Sequence, residues 1–203
     1  MFALIVAFGR VAGLVPFPAN THHLAPQMEA HLGTLGVETA FEPKILETGG
    51  GLKAAAARFV SPTIFTANAD VVWDGPNPFD IVRAAWRDDL DAVLLCVDLD
   101  RALGRTTGDF TLQAGKITRG GDMVYGGVQA IRLARVLEVA DTVFSLNVVW
   151  DRLIAEARIA AYSINGFDTH AKQSRSISRG LNQISDNILP LKADLGPVWD
   201  KTT

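Results

Sequence analysis

The sequence predicts an α/β protein with a mixed, mostly parallel sheet and helices on both of its faces. Short apolar runs of strand length alternate along the chain with segments whose apolar residues recur at helical spacing. Residues 92–97 form a continuous apolar run, which is typical of a strand that is covered on both faces. In such sheets the ligand crevice lies beyond the carboxyl ends of the strands, so residues that follow a strand are the first functional candidates.

The first half of the chain alternates between the two kinds of element. Asn20 or Thr21 is predicted to cap the first helix, and Gly36 to end it. The strand before Asp70 delivers that carboxylate at its carboxyl end. The predicted elements are a helix at 20–35, a strand at 37–41, a helix at 53–59, a strand at 63–68, and a helix that starts at Pro78 with Phe79, Val82, Ala85 and Trp86 as its apolar face.

The second half continues the alternation up to Gly166, after which the character of the sequence changes. Apolar residues at 177–191 recur on one face of a helix that either docks on the protein's own core or mediates self-association. We therefore expect one domain at 1–166 and a divergent, partly helical tail at 167–203. The elements predicted before that tail are a strand at 92–97, a hairpin of 109–112 and 116–119, a strand at 124–131, helices at 133–139 and 147–157, and a final strand at 159–164.

Composition excludes several classes of protein. The formal net charge of -3 argues against a nucleic-acid binder that works by bulk positive charge. The single cysteine, Cys96, rules out a disulfide within the chain and fits the reducing cytoplasm. Residues 1–17 are mostly apolar, but residues 1–4 lack the basic residues of a signal peptide, and Arg10 and Pro16 interrupt the run. We therefore expect neither a signal peptide nor a membrane span.

The segment from Glu47 to Lys53 contains three consecutive glycines and is the first candidate for a ligand site. Glycines let backbone amides approach a ligand closely, and a helix that follows them offers spare N–H donors to an anion. Lys53 is expected in the first turn of that helix, where a cation is easier to explain if it meets a ligand anion. A simple flexible turn between a strand and a helix is the structural alternative.

The segment Asn68-Ala69-Asp70 is the second candidate. A carboxylate at a strand end is well placed to hold Mg²⁺, which prefers oxygen ligands and keeps several waters. The structural alternative for Asp70 is a cap on the following turn.

Taken together, several segments resemble the bacterial nucleotidyltransferases that activate sugar 1-phosphates. The likeness covers residues 20–166, and several motifs in the right order are far more specific than one glycine-rich segment. The closest groups are the N-acetylmuramate alpha-1-phosphate uridylyltransferases and the mannose-1-phosphate guanylyltransferase-like proteins. The segments that carry the likeness are 20–24, 46–53, 68–71, 108–110, 124–129, 144–147 and 150–151.

The resemblance implies a Rossmann-like nucleotidyltransferase fold and a role in cell-wall sugar metabolism. A sugar 1-phosphate would attack the α-phosphate of UTP or GTP, and pyrophosphate would leave, so that a nucleotide sugar forms. The residues carried over are Asp70 and Lys53 as catalytic residues, Asp70 for Mg²⁺, Glu47, Thr48, Gly49, Gly50, Gly51 and Asn68 for the nucleotide, and Asp109, Tyr125, Gly126 and Asn147 for the sugar.

The sequence departs from the family pattern at both ends. The family begins with a G-x-G-T-R loop and a later lysine that hold the triphosphate, and the nearest segment here, at 9–13, lacks the Thr-Arg pair. We therefore expect the fold to be incomplete at its amino end, with residues 1–15 refilling the place of a missing strand. At the other end, Asp168 stands near the position of the second metal ligand, but no Gly-Thr-Pro follows it.

Two hypotheses follow from this sequence. The first is a Mg²⁺-dependent enzyme that makes a nucleotide sugar from a nucleoside triphosphate and a sugar 1-phosphate. The second is a truncated, catalytically impaired family member that at most binds nucleotide or sugar, or associates through its tail. The missing phosphate clamp favours the second hypothesis, because losing even one charge-stabilising donor typically costs ~10²–10³ in rate.

Overall fold

The computed structural model describes residues 18–69, 71–74, 76–113, 116–163 and 168–171. The predictions for residues 1–15, Asp70 and residues 177–191 lie outside these ranges. The helices are α1 (Ala25–Thr34), α2 (Glu47–Ala55), α3 (Pro78–Ala85), α4 (Leu133–Leu137) and α5 (Asn147–Ala155). The strands are β1 (Ala19–Thr21), β2 (Thr39–Phe41), β3 (Thr63–Ala67), β4 (Val71–Asp74), β5 (Ala92–Asp98), β6 (Ala102–Leu103), β7 (Phe110–Gln113), β8 (Lys116–Arg119), β9 (Met123–Arg132), β10 (Ile159–Ser163) and β11 (Asp168–Ala171).

The central sheet has six strands in the order β10-β5-β9-β7-β8, with β3 also paired to β9. Strands β5 and β10 run parallel, whereas β9 is antiparallel to β5, β3 and β7, and β7 is antiparallel to β8. The predicted mixed sheet is confirmed. Strands β3, β5, β7 and β10 run in one direction, and β8 and β9 run against them.

Strand β5 lies at the centre of the core, as its apolar run predicted. Ala92, Leu94 and Cys96 face one core cluster, and the residues between them face the other. All six residues from 92 to 97 are completely buried. Helices α4 and α5 cover the first face through Val136, Val149 and Leu153, and α3 covers the second. This arrangement confirms the prediction of helices on both faces of the sheet.

Strand β9 contains an irregularity that shapes the molecule. Leu94 of β5 pairs with Gln129 and Cys96 pairs with Tyr125, so three residues of β9 lie opposite one residue of β5. Gly127 occupies the left-handed region with a φ of 82°, which glycine adopts without steric cost. A bulge of this kind bends a strand and changes its partners. The other edge of β9 accordingly pairs with β3 beyond the bulge and with β7 before it.

Two smaller sheets flank the central one. Strands β1 and β2 pair in parallel, and β11 pairs with both β4 and β6. Strand β11 follows β10, so the prediction that residues 159–164 form the final strand is wrong. No helix within the described residues has the length and apolar character needed to cross a membrane.

The first helix begins later than predicted. Asn20 and Thr21 lie in β1, where they pair with β2, and neither caps a helix. Helix α1 starts at Ala25 with a proline in its first turn, which suits a position where a backbone N–H has no helical partner. The β1–β2 pairing therefore overrides the capping preference of these two polar residues.

A buried carboxylate joins the amino end of β5 to its neighbours. Asp91 is 4% exposed and forms ion pairs with Arg132 at 3.0 Å, Arg135 at 3.1 Å and Arg158 at 2.6 Å. These arginines come from the end of β9, from α4 and from the residue before β10. Hydrogen bonding from Arg158, followed by its charge and those of Arg135 and Arg132, lowers the pKa of Asp91 despite its burial.

We expect Asp91→Asn to lower the free energy of unfolding by about 3 kcal/mol at pH 7, because it removes the buried carboxylate that Arg132, Arg135 and Arg158 share. Because folding lowers the pKa of Asp91, its contribution to stability is complete above the pKa of the unfolded state, ~4. This contribution is lost as pH falls through the lower pKa of the folded state. Urea unfolding at pH 7 and at acid pH measures both effects. Asp89→Asn, which removes an exposed pair with Arg87, is the control and should leave stability unchanged, because water screens exposed ion pairs. An equal effect of the two substitutions would contradict this assignment.

Candidate functional site

A cavity of about 270 Å³ lies where β9 changes its partner from β3 to β7. The fork leaves the edge of β9 around Tyr125 without a neighbouring strand, and side chains from loops and from the start of α5 surround the gap. Both polar and apolar groups line it. The lining residues are Thr48, Asn68, Val71, Arg105, Asp109, Arg119, Val124, Tyr125, Ser145, Leu146, Asn147 and Trp150.

Asp109 organises one wall of this cavity. Its Oδ1 accepts a hydrogen bond from Arg105 Nη2 at 2.6 Å, and its Oδ2 accepts one from the backbone N–H of Tyr125 at 2.9 Å. The second bond satisfies an amide that the fork leaves without a strand partner. Both carboxylate oxygens are therefore engaged, and Asp109 holds the wall in place together with Arg105.

Arg119 forms another part of the cavity wall. Its guanidinium lies 4.8 Å from the ring centroid of Phe110 and 5.6 Å from that of Trp150. Arg119 Nε donates to Asp151 Oδ1 at 2.7 Å, and Nη2 donates to the carbonyl oxygen of Asn147 at 3.1 Å. Stacking against two rings and two hydrogen bonds to α5 fix the orientation of this cation.

A buried polar chain supports the floor of the cavity. Trp150 Nε1 donates to Gln129 Oε1 at 2.9 Å, and Gln129 Nε2 donates to Thr66 Oγ1 at 3.0 Å. Tyr125 packs edge-on against Trp150, with ring centroids 4.9 Å apart. The Tyr125 hydroxyl is buried without a hydrogen bond of ordinary geometry to any described residue, and burial raises the pKa of this hydroxyl.

The start of α5 supplies the rim. Asn147 is exposed, and its Nδ2 donates to Ser145 Oγ at 3.0 Å. The backbone N–H of Leu146 donates to Thr48 Oγ1 at 3.0 Å, which ties α2 to this rim. Thr48 thus brings the predicted nucleotide segment and the predicted sugar segment, 98 positions apart in sequence, to one cavity.

The three glycines are helical, and the prediction of a glycine loop is wrong. Residues 49–51 lie inside α2 and are buried. Added Cβ atoms would overlap the Phe144 ring at Gly49, the Thr142 carbonyl oxygen at Gly50 and the Glu42 carboxylate at Gly51. The amides of Gly49 and Gly50 donate to the Phe144 carbonyl oxygen at 2.9 and 3.0 Å. The glycines therefore let α2 pack closely against residues 142–144, and these two amides have no capacity left for an anion.

Lys53 lies in the last turn of α2, so the prediction that it lies in the first turn is wrong. Its ammonium donates to the carbonyl oxygens of Val139, Ala140 and Asp141, the latter two at 3.5 and 3.3 Å. These carbonyls follow α4, and the cation satisfies acceptors that have no helical partner. A catalytic role for Lys53 stays a prediction, and the structure gives this side chain a packing role.

The remaining predicted residues divide into two groups. Thr48, Asn68, Asp109, Tyr125 and Asn147 meet at the cavity. Glu47 is exposed at the start of α2 with a φ of 60°, and Gly126 is buried in β9. Neither of these two lines the cavity, nor do the three glycines.

Two lining residues, Arg105 and Arg119, were not predicted. Arg105 precedes the Gly108-Asp109-Phe110 motif, and Arg119 ends a strand of a hairpin. A charged residue in either place looks like an ordinary solvated side chain. The nearby motif was the one available signal for Arg105.

The predicted metal site is only partly covered by the described residues. Among these residues, no group of three or more His, Cys, Asp or Glu side chains lies together. Asp168 pairs in β11 with Asp74, while Ala171 pairs with Val71. The Mg²⁺ site at Asp70 and Asp168 stays a prediction.

The chain resembles known proteins in sequence and in fold. No protein-family model matches the chain. Among curated proteins, the N-acetylmuramate alpha-1-phosphate uridylyltransferase of Caulobacter vibrioides is 32% identical over 170 residues, which are 74% of this chain and 70% of that protein.

Solved structures share the fold at low sequence identity. The HddC protein from Yersinia pseudotuberculosis, complexed with GMP-PN, is 12% identical, with a TM-score of 0.69 and coverage of 90% of this chain and 84% of that one. The inositol-1-phosphate CTP transferase from T. maritima is 15% identical, with a TM-score of 0.69 and coverage of 91% and 83%. A putative glucose-1-phosphate thymidylyltransferase from Bacillus anthracis is 10% identical, with a TM-score of 0.75 and coverage of 91% and 82%. The predicted Rossmann-like nucleotidyltransferase fold is confirmed.

We expect Gly50→Ala to lower the free energy of unfolding by about 2 kcal/mol or more, because the new methyl group overlaps the Thr142 backbone oxygen. Gly33→Ala is a matched control in α1, since a Cβ at that exposed helical glycine meets nothing within 4 Å. It should raise stability by roughly 0.5–1 kcal/mol. Thermal and urea unfolding of both variants test the packing role of the glycines, and a neutral Gly50→Ala would refute it.

Proposed function

Since this chain belongs to the sugar-phosphate nucleotidyltransferase family, we propose that it transfers a uridylyl group from UTP to N-acetylmuramate 1-phosphate. The observation that carries this proposal is the 32% identity to a uridylyltransferase with that substrate in its name. The cavity at the β9 fork supports it, because it gathers both predicted nucleotide residues and predicted sugar residues. The neighbours that share the fold are named for, or complexed with, different nucleotides, so GTP is the second nucleotide to test.

We place the sugar against the wall formed by Tyr125 and Asn147. Asn147 is exposed at the rim and Tyr125 lines the cavity. Asp109 acts on this subsite through the backbone of Tyr125 and through Arg105, because each of its oxygens accepts a hydrogen bond from one of these two groups. Gly126 is buried behind this wall. It belongs to the bulge of β9 that sets the course of the backbone next to Tyr125.

We place the nucleotide on the side of Thr48 and Asn68. Both residues line the cavity, and Glu47 is exposed next to Thr48. Gly49, Gly50 and Gly51 contribute by letting the start of α2 sit close to the rim of α5. This placement needs no phosphate contact from the glycine amides, which are engaged elsewhere.

In the proposed reaction an oxygen of the sugar phosphate forms a bond to the α-phosphorus of UTP. The bond from that phosphorus to the bridging oxygen breaks, and pyrophosphate leaves with the electron pair. Phosphoryl-transfer enzymes achieve this chiefly by aligning the reactants and neutralising charge. The cavity supplies alignment through walls that are held by Asp109 and by the Trp150–Gln129–Thr66 chain.

We further propose that the reaction uses Mg²⁺ held by Asp70, with Asp168 as a weaker candidate. The support is chemical, since a divalent cation neutralises phosphate charge and Asp is an oxygen ligand of the type that Mg²⁺ prefers. No step above depends on the geometry of this ion. A cytoplasmic location is proposed with it, because a chain with one cysteine is suited to a reducing compartment.

We expect the full chain, given UTP, Mg²⁺ and N-acetylmuramate 1-phosphate, to release pyrophosphate in a coupled assay. Asp70→Asn should reduce the rate by ~10³ or more, because it weakens the hold on a charge-neutralising ion. Asp88→Asn removes an exposed carboxylate at the far end of β9 and should leave the rate unchanged. Absence of pyrophosphate with UTP and with GTP would refute the enzyme and leave the binding-domain alternative.

A further inference from the structure

Arg119 is held in the cavity wall in a way that leaves part of its guanidinium available. Its Nε and Nη2 donate to Asp151 and to the Asn147 carbonyl. Its Nη1 has no hydrogen-bond partner within the described part of the chain. The side chain is 35% exposed, so a ligand in the cavity can reach it.

The charges of the lining single out Arg119 as the anion-binding group. The cavity is lined by two arginines and one aspartate. Arg105 is paired with that aspartate, Asp109, at 2.6 Å. The partner of Arg119, Asp151, lies outside the lining and is 61% exposed, so water screens this pair strongly.

The register of the sheet separates Arg119 from the Asn68 side of the cavity. Arg119 pairs with Phe110, which pairs with Met123, opposite Asp98 of β5. Ala67, just before Asn68, pairs with Val128, next to the row of Leu94. Three to four residues of β5 separate the two rows, or roughly 10 Å along the strand. The backbone of Arg119 therefore lies well apart from that of Asn68, on the part of the cavity that α5 borders.

We propose that Arg119 is a specificity residue that binds a carboxylate carried on the sugar ring of the substrate. This inference rests on the proposed function, which puts the reacting phosphate on the Asn68 side and the sugar towards Asn147. N-acetylmuramate differs from N-acetylglucosamine by a lactyl ether that ends in a carboxylate. Arg119 selects the first sugar over the second, because a stacked guanidinium donates a directed, charge-assisted hydrogen bond to a carboxylate.

The test compares two ligands that differ only in this group. N-acetylmuramate 1-phosphate and N-acetylglucosamine 1-phosphate are titrated calorimetrically into the full chain, each with a nonhydrolysable UTP analogue and Mg²⁺. We expect Arg119→Gln to lower the affinity for N-acetylmuramate 1-phosphate by ~10–50-fold and that for N-acetylglucosamine 1-phosphate by at most about threefold. Arg119→Lys keeps the charge but loses the planar guanidinium. We expect its affinity for N-acetylmuramate 1-phosphate to lie between those of the wild-type chain and Arg119→Gln.

Two control variants separate recognition from structure. Asp151→Asn removes the ion pair that links Arg119 to α5 but keeps the guanidinium. An effect that comes only from losing this pair therefore occurs in Asp151→Asn and in Arg119→Gln alike. Arg87→Gln removes an exposed arginine whose partner is Asp89, away from the cavity, and should change nothing. Unchanged binding of the UTP analogue by Arg119→Gln shows that the cavity is intact.

The results of these titrations distinguish recognition of the sugar carboxylate from binding of the phosphate and from structural damage. Equal weakening of both sugar phosphates in Arg119→Gln overturns the inference, because it points to the phosphate or to structural damage. An unchanged affinity for N-acetylmuramate 1-phosphate, or no binding of it by the wild-type chain, overturns it as well. Selective loss of N-acetylmuramate 1-phosphate in a chain that releases no pyrophosphate supports the inference and refutes the proposed activity alone.

Discussion

The bulge in β9 at Gly126 and Gly127 is the constraint on which the site depends. Three residues of β9 face one residue of β5 at this point, so the strand keeps its pairing on one edge and changes it on the other. The Asn68 amide donates to the Gly127 carbonyl oxygen at 2.8 Å, where β3 ends. A side chain at Gly127 would overlap Val71 and Asn68. The cavity therefore exists because backbone that only glycine tolerates opens the sheet locally.

Two rigid devices hold the walls around this opening. Asp109 replaces a missing strand partner by accepting the Tyr125 amide, and the completely buried Gln129 positions Trp150. Trp150 in turn stacks with Arg119 and contacts Tyr125. Buried polar groups are costly unless they are fully paired, so such a chain favours one arrangement of the wall over others. The site is thus preorganised by groups that have no need to touch a ligand.

The triple glycine illustrates how a motif can be recognised correctly and interpreted wrongly. Its position in the family pattern pointed to a part of the chain that reaches the cavity, because Thr48 is in the lining. The reason for three glycines is nevertheless helix packing, since residues 142–144 occupy the space that side chains would need. Lys53 likewise has a packing role, because its ammonium group donates hydrogen bonds to carbonyl oxygens that follow α4. The sequence around residues 47–53 does not reveal that residues 139–144, about ninety positions later, pack against them.

The sequence by itself determined the α/β class, the double-sided burial of β5, the hairpin of β7 and β8, and the family. These properties follow from periodicity and from ordered motifs, which are local in the chain. Only the tertiary structure decided that β9 runs antiparallel, that Asn20 and Thr21 pair in a strand, and that Arg105 and Arg119 line the cavity. Strand direction and wall composition depend on contacts between distant segments, and an arginine at the end of a strand looks the same in sequence whether it faces solvent or a ligand.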